Sequence, residues 1–70
     1  MEQTLWERSR IIVSMLRAEI KRRARHATTD RKELVETVLK ERTPPGWRYQ
    51  LYPVRGAEEP DFLLIPATMA

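Results

Sequence analysis

The sequence predicts an α+β domain of order helix, helix, strand, strand (ααββ), and three observations predict it. Residues 4 to about 26 contain no Gly or Pro and repeat their apolar positions at helical spacing. A second, shorter run with the same period follows the cap-forming segment "ATTD". Beyond "TPPG" the period drops to two in "WRYQLY", and a short apolar run, "FLLI", follows a turn-rich loop.

The first helix is expected over residues 4–27. At 100° per residue, Leu5, Ile12, Leu16, Ile20 and Ala27 form one stripe, widened by Trp6, Val13 and Ala24, and this stripe is the expected core face. Ile11, Met15 and Ala18 fall on nearly the opposite side. A helix that is apolar on two sides needs cover on both.

Thr28, Thr29 and Asp30 carry the short oxygen-bearing side chains that accept orphan N–H groups at a helix start. Asp30 with Glu33 has capping-box spacing, and Thr29 is the alternative cap. The second helix is expected over 30–42, with Leu34, Val35, Val38 and Leu39 as its core stripe and Glu36 and Lys40 as an i, i+4 pair. So short a connection makes the two helices antiparallel neighbours.

Pro44 pushes Thr43 out of helical geometry, and Gly46 permits a turn. In the strand that follows, Trp47, Tyr49 and Leu51 share one face, while Arg48, Gln50 and Tyr52 share the other. Pro53 ends the strand. Phe62 and Leu64 point one way in the second strand, Leu63 and Ile65 the other, and Pro66 closes it. The result is a hairpin over 47–66, packed on the helices, with a loose tail at 67–70.

A chain of 70 residues is one domain, 1–70, and buries only about 60% of the surface its unfolded form exposes. With no cysteine and one histidine, neither a disulfide nor a structural zinc is expected to reinforce it. That leaves packing and association. Both the first helix and "FLLI" offer apolar side chains on two faces, which points to self-association or a protein partner.

No apolar run approaches a membrane span, the opening "MEQTLWER" is acidic where a secretory signal is basic, and cysteine is absent. The expectation is a soluble, cytoplasmic protein with no membrane contact. Its formal net charge is +3, from 13 Lys+Arg against 10 Asp+Glu. The cations gather towards the front, and Glu58, Glu59 and Asp61 outweigh Arg48 and Arg55 in the last third.

The basic cluster is the strongest functional signal. Arg10, Arg17, Lys21 and Arg25 fall within one arc beside the core stripe, with Arg22 nearby, and such a ridge can meet phosphates or an acidic protein. Positive charge in the last turns of a helix also complements the macrodipole, so helix polarity accounts for part of the cluster. Arg23 points towards the core side, where its stem covers apolar surface.

"WRYQLY" interleaves aromatics with a cation, as base-stacking surfaces do. Its alternation assigns Trp47 and Tyr49 to the core, and leaves Arg48 and Tyr52 for contact with a partner. Helix-turn-helix recognition places base-reading side chains on the second helix, whose outer face here is Glu33, Glu36, Thr37 and Lys40, a largely acidic set. The charge sits on the other helix.

No catalytic equipment is visible. His26 stands without triad partners, and no phosphate-cradling glycine pattern occurs, since Gly46 and Gly56 sit in separate turns. Glu58, Glu59 and Asp61 are the only acids grouped as a hard cation would require, without the further ligands to hold one. No enzyme activity, cofactor, metal or small-molecule substrate is expected.

The function expected is therefore a noncatalytic interaction module, an accessory subunit, adaptor or inhibitor. It would bind another macromolecule through Ile11, Met15, Arg48, Tyr52, Leu63 and Ile65, with Arg10, Arg17, Lys21, Arg22 and Arg25 alongside. The alternative is a nucleic-acid-binding protein that contacts phosphates through the first helix.

Overall fold

The computed structural model describes residues 4–68, and the opening Met1, Glu2 and Gln3 and the terminal Met69 and Ala70 lie outside the described residues. Helix α1 spans Leu5–Ala24 and helix α2 Arg31–Arg42; strands β1, Trp47–Tyr52, and β2, Asp61–Pro66, form one antiparallel hairpin. The order helix, helix, strand, strand is the one the sequence predicts.

Thr4 caps α1. Its hydroxyl accepts from the Glu7 N–H at 3.1 Å, the first half of a capping box whose spacing is written as Thr4 and Glu7. The helix ends before residue 27: His26 and Ala27 N–H groups both turn back to the Arg23 carbonyl, and Ala27, expected on the core stripe, is exposed. Asp30 is the N-cap of α2 through its backbone carbonyl, which accepts from Leu34, but its side chain makes no cap hydrogen bond. The Asp30–Glu33 capping box is therefore not formed. Glu36 and Lys40 do not pair among the described residues either; an exposed pair of this kind contributes only about 0.2–0.5 kcal/mol, too little to hold two long side chains still.

The core is Leu16 and Ile20 from α1, Leu34, Val35, Val38 and Leu39 from α2, and Phe62 and Leu64 from β2. Ile12, Val13, Ala24, Trp47, Tyr49 and Leu51 pack around it, half-buried. The hairpin register sets Tyr49 opposite Leu64 and Leu51 opposite Phe62, so one face of the ribbon meets the helices. On the other face Arg48 lies opposite Ile65, and Gln50 opposite Leu63. Gly46, at φ +90°, makes the turn into β1, and its carbonyl accepts from Ala67 at 2.8 Å. Ala67 is thus tied to the hairpin base and is not part of a loose tail.

The main departure lies at the start of α1. Leu5 and Trp6, expected on the core stripe, are exposed, Trp6 at 71%. Lengths explain this. A helix of 20 residues runs about 30 Å, a helix of 12 about 18 Å, and a six-residue strand about 20 Å. Helix α1 outruns both elements that cover it, and the molecule is correspondingly elongated, 41 × 22 × 19 Å. Core contact begins at Ile12, leaving the first two turns without a layer beneath them.

Candidate docking surface

The overhang of α1 turns one stretch of intended core into surface. Between this half of α1 and β2 runs an open groove of about 390 Å³, lined by Trp6, Ser9, Arg10, Val13 and Arg17 on the helix and by Phe62, Leu63 and Leu64 on the strand. Leu63 is 41% exposed. Two ridge cations, one outward hairpin residue and an aromatic expected on the core stripe therefore meet in one place. The signal for Trp6 was available in the sequence, as the excess of first-helix length over everything that could cover it.

Arg17 stands at the junction of two grooves. Its guanidinium donates to the Asp61 carboxylate at 3.1 Å and lies 5.9 Å from the centre of the Phe62 ring. On its far side Arg17, Lys21 and Arg31 line a second groove of about 560 Å³, floored by Ile20, Val35 and Phe62 and rimmed by Glu59 and Asp61. Arg31, from the start of α2, joins the basic ridge there and was not expected in it.

The remaining cations divide into engaged and unengaged. Arg22 donates through Nε and Nη2 to both oxygens of Glu19, at 3.0 and 2.6 Å. Arg23 donates to Glu19 at 2.7 Å and to Glu41 at 2.6 Å, linking α1 to α2 along the core-side position expected for it. Among the described residues Arg10, Lys21 and Arg25 form no ion pair.

These pairs tune the acids. Hydrogen bonds from Arg22, and then from Arg23, hold the Glu19 carboxyl at about 2, against an ordinary value of 4.5. Partial burial pushes Asp61 up, but the Phe62 N–H, the Arg17 charge and the Tyr52 hydroxyl outweigh it and hold the group below its ordinary 3.8. Both folded values are lowered, so the unfolded chain binds more protons as the solution is acidified. The Glu19 contribution is complete above about pH 4.5 and is lost as the pH falls towards about 2. The urea midpoint is expected to drop across this window, and Glu19→Gln to flatten the drop; an equally steep loss in the variant would remove Glu19 from this role.

The six residues expected to form a protein-binding surface lie on two elements, α1 and the hairpin. Ile11 and Met15, the latter 67% exposed, lie on the side of α1 turned away from the core. Arg48, Tyr52, Leu63 and Ile65 lie on the hairpin face turned away from the helices, with Ile65 half-buried. Leu63 alone among the six lines the groove. Neither Met15 nor Ile65 is enclosed within a single copy.

The loop acids do not act as a set. Asp61 is already held by Arg17 and by the Phe62 N–H at 2.8 Å, while Glu58 and Glu59 are exposed, and no metal-holding group of acids or histidine occurs among the described residues. His26 is exposed just past the end of α1. Among the described residues no helix is long and apolar enough to cross a membrane. No known protein family, curated protein or solved structure matches the chain.

Proposed function

We propose that the chain is a noncatalytic interaction module, an accessory subunit, adaptor or inhibitor, that docks an acidic partner protein in the groove between the start of α1 and β2. The observation that carries this reading is the exposure of Trp6 beside Leu63 and Val13, flanked by Arg10 and Arg17. Trp and Arg around an apolar centre are the residue types that dominate protein interfaces. Exposed Trp6 gains from burial at a rate of about 25 cal/mol per Å² of apolar surface. Arg10, which forms no ion pair among the described residues, favours a partner whose rim is acidic.

The nucleic-acid reading has less support. Two of the five cations it would use, Arg17 and Arg22, are already neutralised by Asp61 and Glu19. Of those that remain, Arg10 stands in the first half of α1, while Lys21 and Arg25 stand at its end.

A photo-crosslinking residue at position 6 tests the docking reading, with the Trp6→Ala, Leu63→Asp double variant as the control. Both substitutions fall on exposed side chains, so circular dichroism of the double variant is expected to match that of the original chain. The expected result is an acidic protein crosslinked from the native source by the single variant. Its co-purification with the unlabelled original chain should be lost with the double variant and weakened by added salt. Equal recovery by the original chain and the double variant would end this reading. Recovery of DNA or RNA through Arg10 and Lys21, with no protein, would put the alternative in its place.

A further inference from the structure

We infer that the outer edge of β1 pairs antiparallel with the same edge of a second copy, centred on Gln50, to make a continuous four-stranded sheet. This interface is separate from the groove at Trp6.

Hydrogen-bond parity shows which backbone groups are available. The Ala67 N–H donates to the Gly46 carbonyl, and the strands pair so that Arg48, Gln50 and Tyr52 face Ile65, Leu63 and Asp61. Alternation from the Gly46–Ala67 pair therefore assigns the ladder bonds of β1 to residues 48, 50 and 52. The Phe62 N–H agrees with this, since it bonds the Asp61 carboxylate and not β1. Trp47, Tyr49 and Leu51 consequently aim their N–H and C=O groups away from β2.

The Trp47 N–H is taken by the Pro44 carbonyl. Among the described residues no other hydrogen bond outside the hairpin ladder reaches this edge.

The two edges of the hairpin are treated differently. On the outer edge of β2, Phe62 and Leu64 are buried, Phe62 has its N–H satisfied, and Pro66 has none to offer. The β1 edge has no proline, no bulge and no inward charge over its six residues. Such an edge is a template for another strand. A two-stranded ribbon is also the least stable sheet, and Trp47, Tyr49 and Leu51 remain only half-buried on its inner face.

The side chains select a second copy as the occupant. Outward-facing groups at odd positions allow only registers in which odd residues oppose odd residues. Centring on Gln50 sets Tyr49 against the second copy's Leu51, and Leu51 against its Tyr49, each pair exchanging backbone bonds and extending the inner apolar row. On the outer face Arg48 lies against the second copy's Tyr52, a cation beside an aromatic ring, and the two Gln50 amides face each other. No like charges are opposed. Pairing stops at both ends without a clash, because Trp47 has already used its N–H and Pro53, which it would oppose, has none.

The absence of cysteine makes the test clean. Directly opposed residues of a non-hydrogen-bonded antiparallel pair lie about 4.5 Å apart at Cα, within disulfide reach. A Gln50→Cys variant treated with oxidised glutathione is expected to crosslink to a species of twice the mass. An Arg48→Cys variant, which faces the second copy's Tyr52, is expected not to. Both positions are exposed, so neither change threatens the fold.

Sedimentation of the original chain should show a concentration-dependent doubling of mass. N-methylation of the Leu51 amide in a synthetic chain, which removes one outward donor and keeps every side chain, should abolish that doubling. A chain that stays monomeric at its solubility limit, or equal crosslinking through positions 48 and 50, would overturn the inference. Either result leaves the Trp6 groove untouched, just as failure of the Trp6→Ala, Leu63→Asp experiment leaves this edge untouched.

Discussion

Replacing Leu39 with alanine is expected to cost about 2–5 kcal/mol, a large share of the stability of so short a chain. Leu39 is 0% exposed and sits on α2 beside Val35 and Val38 where that helix meets Leu16 and Ile20. Truncation removes the transfer energy of the side chain and opens a cavity that helices already in contact cannot close. At about 0.05–0.15 kcal/mol per residue, a chain of 70 residues has roughly 3.5–10 kcal/mol of stability to lose. Met15→Ala is the internal comparison, expected within about 0.5 kcal/mol of the original because its side chain is already in water. Urea denaturation followed by circular dichroism measures both. A Leu39→Ala loss below about 1 kcal/mol would mean that the α1–α2 contact is not the centre of the core.

Periodicity made the element types and most of their inward faces legible. Leu16, Ile20, Leu34, Val35, Val38, Leu39, Phe62 and Leu64 each occupy the side that their spacing assigns, because a side chain's direction follows from its position in a regular helix or strand. Direction is not cover, however. Leu5 points the same way as Leu16 and Trp6 flanks it, yet both are exposed, since burial depends on how far the neighbouring elements extend. The same distinction applies to Ala27, whose wheel position lost its meaning once the helix had ended at Ala24.

Charge was legible as a cluster but not as a set of partnerships. The Arg17–Asp61 pair joins residues 44 positions apart, and Arg23 reaches Glu41 on the other helix. Neither follows from local spacing. Both depend on the packing of α1 against β2 and α2, which also explains why a ridge that reads as continuous is in part neutralised. The cations beyond Arg17 gather where the helix dipole favours them, with Lys21, Arg22 and Arg23 in the last turn of α1. Arg10 is too far from that end for the dipole to account for it, and it is one of the two arginines that line the Trp6 groove.

Phe62→Ala is expected to be the other severe substitution, at about 3–5 kcal/mol, and to unfold helices and hairpin together. Phe62 is the larger of the two buried residues, with Leu64, through which β2 joins the core, and the Arg17 guanidinium lies over its ring. Without that anchor the hairpin is a two-stranded ribbon, marginal in water, and α2 is a 12-residue helix, equally marginal alone. Neither half can stay folded for the other to return to. In a Trp6→Phe background, which leaves Trp47 as the only indole, hairpin fluorescence and helical dichroism are expected to share one urea midpoint, well below that of the parent. Phe62→Leu should recover most of the loss, because a large apolar side chain still fills the site. A fluorescence transition that separates from the helical one would show that the helices hold without the hairpin, and would move the centre of stability away from Phe62.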